Sequence, residues 1–494
     1  MEGTASVVRN SVVLIVVRVI SAALGLAFVG LLPRLLGDAG YGQVHLALSL
    51  VLLCGVVMDL GVGPVLVRAV AREHALAAIY LRRGMTVTLA LGALCYVALL
   101  GAVHVLGYPA GTDVVAAVLG ISMLLDGIAR LLGGVYQAHE RMYLPALARI
   151  VGHLVTFAIL LPRLWHGTPT DPATVAAVLV LASLVRLVVH AVGLGSLDGL
   201  RRPSSADLPW RPLLAAGLPF VLWQSLGVLY FRIDVVMLGF LTEPATVGWY
   251  GAVTRLMDGL TFIPETLAFA GYPVMARLWS GARREFEQTA QRILAIVLLI
   301  AVPLVAALVT LAPHVVDALF TSAFVESVPI LRVHAFTLGV LYLDFILARI
   351  LMAIGRERAW LAISVMACFL NPTLNWLLIG FTQERFGNGG IGAALATLTT
   401  EICIAAVALR LVPRAALGWV SSGAMVRLLT AGAATAAAIL LGLAFGLPWV
   451  VAGVAGAAVY VVAVLSFGLV PSDLMTRVRI TMRSGAVVSG EVSR

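Results

Sequence analysis

Apolar runs of about twenty residues recur along the whole chain, and that length limits what it can fold into. A helix of that size rises about 30 Å, the thickness of bilayer hydrocarbon. Of the 494 residues 61% are hydrophobic and only 12% charged, whereas soluble domains carry about 25% charge. The chain therefore reads as an all-α polytopic membrane protein.

A window of about nineteen residues gives roughly fourteen transmembrane helices. They cover 11–35, 43–67, 84–107, 114–136, 146–165 and 174–197, then 212–241, 247–276, 292–312, 329–353, 360–382 and 390–412. A final pair covers 428–446 and 450–470. The first run is longer than a signal-peptide core and reads as a retained helix. Connections are short and rich in Gly and Pro, leaving no room for a soluble domain.

The net charge of +9 comes from 33 basic residues, all of them arginine. They lie in gaps between apolar runs, so nucleic acid is not an expected partner. Alternate gaps hold Arg68, Arg72, Arg82 and Arg83, then Arg277, Arg283, Arg284 and Arg292, then Arg356 and Arg358. The opposite gaps offer little beyond Arg163 and Arg385. By the positive-inside rule both termini are cytoplasmic. Cys54, Cys95, Cys368 and Cys403 fall singly inside apolar runs and read as packing residues.

The chain also repeats. Pro64-Val65-Leu66-Val67-Arg68 recurs as Pro273-Val274-Met275-Ala276-Arg277. Leu125-Asp126-Gly127-Ile128-Ala129-Arg130 recurs, with one insertion, as Leu343-Asp344-Phe345-Ile346-Leu347-Ala348-Arg349. His139-Glu140-Arg141 matches Arg356-Glu357-Arg358. Helices one to six (1–200) and seven to twelve (208–412) read as two parallel six-helix repeats, followed by a C-terminal pair and basic tail (413–494). Parallel repeats are a transporter architecture with substrate held between the halves.

Gly37-Asp38-Ala39-Gly40-Tyr41-Gly42, Asp59-Leu60-Gly61 and Arg68-Ala69-Val70-Ala71-Arg72 resemble the opening of the Wzx-type polysaccharide (O-antigen) flippases. Arg232-Ile233-Asp234, Val247-Gly248-Trp249-Tyr250 and Pro273-Val274-Met275 resemble the same family's seventh and eighth helices. The family lies in the superfamily that also holds MATE drug exporters and the lipid II flippase, and the likeness covers about 5–415. The resemblance implies a bacterial inner-membrane protein with two lobes, a central cavity and alternating access. It implies export of an isoprenoid (pyro)phosphate-linked oligosaccharide for cell-surface polysaccharide, alongside membrane lipids and a polysaccharide polymerase or glycosyltransferases.

Ionisable residues inside spans are costly and point to a wet interior. Guanidinium groups bind phosphate oxygens in pairs, which makes Arg18, Arg232 and Arg255 candidate substrate ligands. The same arginines also fit bridges to acids on neighbouring helices, and Asp258 lies three residues from Arg255. Asp126 and Arg130 are spaced to pair with each other. Gln224, Asn371 and Asn375 can bond sugar hydroxyls or cross-link helices. Trp223 and Tyr230 are candidates to stack on sugar rings; Trp249 and Tyr250 fit an interfacial aromatic belt better. No cofactor is expected. Coupling to H⁺ or Na⁺ would need a carboxylate without an opposite charge nearby in its helix, which describes Asp59, Asp234 and Glu265. Gly217-Leu218-Pro219, Pro264 and Asn371-Pro372 are expected to interrupt helices. Pro471–Arg483 reads as a surface amphipathic stretch or a basic tail. The competing functions are a MATE-like drug–cation antiporter, whose cavity would be acidic, and a polytopic glycosyltransferase or ligase, which would carry catalytic acids in large outer loops.

Overall fold

The computed structural model describes residues 2–109, 111–195, 197, 200 and 209–470. Side chains are described from residue 24 onward, except at 26, 421 and 422. Pro471–Arg483 lies outside the described residues.

Fifteen α-helices run through the described residues. They are α1 (Glu2–Asp59), α2 (Val62–Arg72), α3 (Ala77–Val105), α4 (Thr112–Ala138), α5 (Tyr143–Trp165), α6 (Pro172–Leu194), α7 (Trp210–Leu241) and α8 (Pro244–Leu260). They continue with α9 (Phe262–Trp279), α10 (Arg283–Leu319), α11 (Ser327–Ala353), α12 (Glu357–Phe386), α13 (Gly389–Leu411), α14 (Met425–Ala444) and α15 (Trp449–Ser466). Twelve segments are long and apolar enough to cross a membrane.

The difference from the roughly fourteen expected spans has a local cause. At 58 residues, α1 would run about 87 Å if straight, close to three hydrocarbon thicknesses. Gly37, at φ 68 and ψ −176, breaks it into the first two expected spans. The eighth expected span is divided at Thr261 into α8 and α9, of 17 and 18 residues. Pro264 fits there because a first-turn proline forfeits no helical hydrogen bond. By contrast, Pro219 and Pro372 lie inside helices that continue past them.

The second expected span ends early. Leu60 and Gly61 take positive φ values of 43 and 68, and α2 starts afresh. The backbone of α7 crosses this break so closely that a Cβ on Gly61 would lie 2.1 Å from the Gly217 carbonyl oxygen. At the other end of the same span, a Cβ on Gly248 would lie 2.0 Å from the Asp38 carbonyl oxygen. Only glycine permits backbones to meet at these distances, so α1 is gripped by α7 and α8 near both ends.

Contacts group the chain into two units. The first comprises Met1–Gly259, Leu319–Ser327 and Cys368–Ala393. Its core includes Leu66, Val70, Leu131, Val135 and Tyr136 from α2 and α4, joined by Leu213 of α7. The second unit comprises Leu260–Ala318, Val328–Ala367 and Ala394–Arg494. There Leu428, Ala431, Tyr460 and Val464 of the C-terminal pair pack on Leu298 of α10. The Tyr460 hydroxyl donates to the Leu299 carbonyl at 2.6 Å, fixing that pair to α10. Helices at matching places in the repeat match in length: α4 and α11 have 27 residues each, α6 and α13 have 23.

Candidate functional site

The first unit collects arginines from α4, α5, α6, α7 and α8. On α6, Arg186 crosses to α4 and donates to both carboxylate oxygens of Asp126, at 2.7 and 2.8 Å. Ser183 supports the same carboxylate at 3.3 Å. The local Asp126–Arg130 pair expected from spacing does not form. Arg130 instead reaches α1 and donates to the Gly55 carbonyl at 3.2 Å. This brings its charge onto Asp59, one turn further along. Asp59 therefore has a cationic neighbour on another helix and also faces the first turn of α2 beside Gly63.

Arg232 donates to Asp258 at 3.0 Å across α7 and α8. Their side chains are 16% and 41% exposed, so water has access to the pair. Asp258 is thus engaged from another helix, not by Arg255 three residues before it. Arg255 is exposed and forms no ion pair with an acid among the described residues. Its charge acts on Tyr41 and His45 of α1 and on His153 of α5. Arg186 and Arg149 act on the same His153, and Arg149 is also exposed. His45 stacks on Tyr41 at 5.7 Å, and its Nε2 is buried with no hydrogen-bond partner among the described residues.

The result is a surplus of positive charge. Arg186 and Arg232 are paired with Asp126 and Asp258, while Arg149 and Arg255, whose charges both act on His153, form no ion pair with an acid among the described residues. Such a place attracts an anion and repels a cation. Sequence reasoning passed over Arg149 and His153. Arg149 lies only six residues into α5 and was hidden by the uncertain start of that span, although a cation within a helix was the signal to follow.

Other predicted positions fall differently. Arg18 lies outside the described side chains. Asp234 is buried and accepts from the Tyr250 hydroxyl and from the Val235 N–H at 2.8 Å. Tyr250 is fully buried, which removes it from an aromatic belt. Trp249 donates from Nε1 to Asp38 Oδ2 and to the Ala323 carbonyl, each at 3.0 Å, so its indole holds helix ends together. Asn371 and Asn375 are buried on α12, where Asn375 donates to both the carbonyl and the side-chain oxygen of Asn371. Those bonds stay within one helix turn and cross-link no second helix, and burial leaves neither side chain open at the surface. Gln224 and Trp223 are exposed on α7, and Glu265 is exposed in the first turn of α9.

Helices long and apolar enough to cross a membrane, twelve among the described residues, define a multi-pass membrane protein. The family model described as polysaccharide biosynthesis protein matches residues 7–279, more than half of the chain. A second model, MatE, matches 219–377. The chain belongs to the polysaccharide biosynthesis protein family. Among curated proteins none matches it by sequence. Among solved structures it is similar to the lipid II flippase MurJ in an inward closed conformation, with 14% identity and a TM-score of 0.71. That likeness covers 95% of this chain and 100% of MurJ. An inward-facing multidrug resistance MATE family transporter of the MOP superfamily aligns at 17% identity and TM-score 0.65, over 79% of this chain and 93% of its own. An outward-facing structure of that class aligns at 18% identity and TM-score 0.54, over 82% and 93%. At these identities the likeness establishes the fold.

Proposed function

We propose that this protein flips an isoprenoid (pyro)phosphate-linked oligosaccharide from the cytoplasmic to the outer leaflet of a bacterial inner membrane by alternating access between the two repeats. The observation that carries the reading is that Arg149 and Arg255, whose charges both reach His153, have no acid partner among the described residues. A pyrophosphate headgroup is multiply anionic, and forked guanidinium donors match its oxygens. Arg232 is paired with Asp258 in a water-accessible bridge that a phosphate oxygen could compete for, and Arg18 remains a candidate on the first helix. Gln224 and Trp223, open on α7, supply a donor and a stacking face for sugar.

Membership in a polysaccharide biosynthesis family supports the glycan, and the similarity to a lipid II flippase supports a lipid carrier. A cationic drug would meet the surplus arginine charge, which weighs against the antiporter reading despite the MatE match. Arginine-rich gaps on one side support cytoplasmic termini. The protein works by binding and conformational change and makes no covalent bond. Asp59 and Asp234 each have a partner within the first unit, so Glu265, exposed in the first turn of α9, is the freer of the three carboxylates expected to couple an ion.

Deleting the gene tests the reading. Lipid-linked glycan is expected to accumulate on the cytoplasmic leaflet and surface glycan to disappear, with both restored by the intact gene. Normal surface glycan in the deletion strain overturns it.

A further inference from the structure

Arg186 of α6 is held to Asp126 by one end only. Both bonds to the carboxylate, at 2.7 and 2.8 Å, come from Nη2. The bond to the Ser183 hydroxyl, at 2.8 Å, comes from the same nitrogen. A guanidinium carries five N–H donors, and a fork-to-fork pair with a carboxylate would engage two of its nitrogens. Here Nε and Nη1 donate to no group among the described residues. The side chain is 24% exposed, so water reaches it.

The unused edge lies against α5. A Cβ on Gly152 would sit 2.8 Å from Arg186 Cγ, 3.0 Å from Cδ and 3.3 Å from Nη1. The arginine therefore lies across α5 at a position where that helix carries no side chain. Gly152 is next to His153 and three residues after Arg149. Arg149 and His153, four apart, are neighbours on the helix surface. Phe28 of α1 backs the His153 ring, with centroids 5.5 Å apart. The exposed leucines of α5, Leu147, Leu154 and Leu161, recur every seven residues, on the face opposite Arg149 and Gly152. On α6, exposed Leu181, Leu184 and Val188 likewise lie opposite Arg186. Both arginines thus meet water on the faces turned away from the exposed apolar side chains, and they meet it together.

We infer that Arg186 is a phosphate ligand for an isoprenoid diphosphate and that Asp126 is its built-in counter-ion, competing with the substrate for the same guanidinium. The identity of the ligand rests on the flippase reading above; the counter-ion deepens it by naming what regulates the site. Arg149 and Arg186 brought together without an acid would repel each other. Asp126 offsets that repulsion while the site is empty, gripping Nη2 and leaving Nε and Nη1 for phosphate oxygens. A carrier must also release what it binds, and a carboxylate that reclaims the guanidinium weakens the hold on the departing headgroup. Gly152 is the notch that seats the arginine beside Arg149 and His153.

The test is titration of the full purified chain, in nanodiscs of zwitterionic lipid, with geranylgeranyl pyrophosphate and separately with inorganic pyrophosphate. Thermal unfolding is measured on the same samples. R186A is expected to bind geranylgeranyl pyrophosphate about tenfold more weakly, the worth of one charge-assisted contact. R186K keeps a cation for Asp126 and loses the fork, so it is expected to fall between at wild-type stability. D126N leaves an oxygen to accept from Nη2 and is expected to tighten binding about threefold or more. That gain is expected to shrink in the R186A background, where there is no guanidinium to release. R186A and R186K binding like the wild type overturn the ligand, and an equal gain from D126N in both backgrounds overturns the counter-ion. If R186A does not fold, R186K as tight as the wild type, or D126N no tighter, overturns the inference. Inorganic pyrophosphate bound as tightly as the isoprenoid ester overturns the lipid as the ligand. Normal glycan export in a gene-deletion strain removes the flippase reading and leaves the binding results standing, so the two failures are distinguishable.

Discussion

Arg255→Ala separates a ligand-binding cation from a structural one. Arg255 is exposed and has no acid partner among the described residues, so truncation breaks no ion pair. Surface truncations of this kind change stability by about 0.5 kcal/mol or less. A charge-assisted contact to phosphate is worth about 1.5–3 kcal/mol, and solvent access selects the lower end. At about 1.4 kcal/mol per factor of ten, the loss in affinity is about tenfold. Arg255→Lys is expected to fall between, since an ammonium keeps the charge and loses the fork. The assay is binding of an isoprenoid pyrophosphate to the purified protein in nanodiscs, with thermal unfolding measured on the same samples. Arg232→Ala is the contrast. It removes one partner of Asp258, which is 41% exposed, at a stability cost of at most about 1 kcal/mol. Unchanged affinity in Arg255→Ala refutes the reasoning, and so does a weakening matched by an equal loss of stability.

Two further outcomes follow from the fold. Gly248→Ala drives a methyl into the Asp38 carbonyl, which cannot move aside, and is expected to cost about 1–3 kcal/mol in thermal unfolding; Gly227→Ala, with open space around it, is expected to be neutral or stabilising. Asp171 caps α6, and its carboxyl is held below the ordinary carboxylate range, chiefly by the Thr174 hydroxyl. Its folded pKa is depressed, so its contribution is present above the unfolded value and is lost as pH falls through the folded one. Unfolding measured against pH is expected to show this loss in the wild type and to lack it in Asp171→Asn.

Membrane character was legible because hydrocarbon thickness imposes a minimum length on every span. The spacing of Asp126 and Arg130 misled because intrahelical distance competes with neighbours that a linear reading cannot see. Asp126 took Arg186 from α6, sixty residues away, and Arg130 turned to α1. Asn371 and Asn375 were named for their polarity, but burial turned them toward each other.

The sequence by itself determined the spans, the side on which arginine gathers, the two copies of the repeat and the family likeness. All of these are one-dimensional signals: length, charge asymmetry and recurrence. Only the tertiary structure decided which charges are cancelled and which are left over. A charge inside a membrane is defined by the group it faces, and that group arrives from another helix.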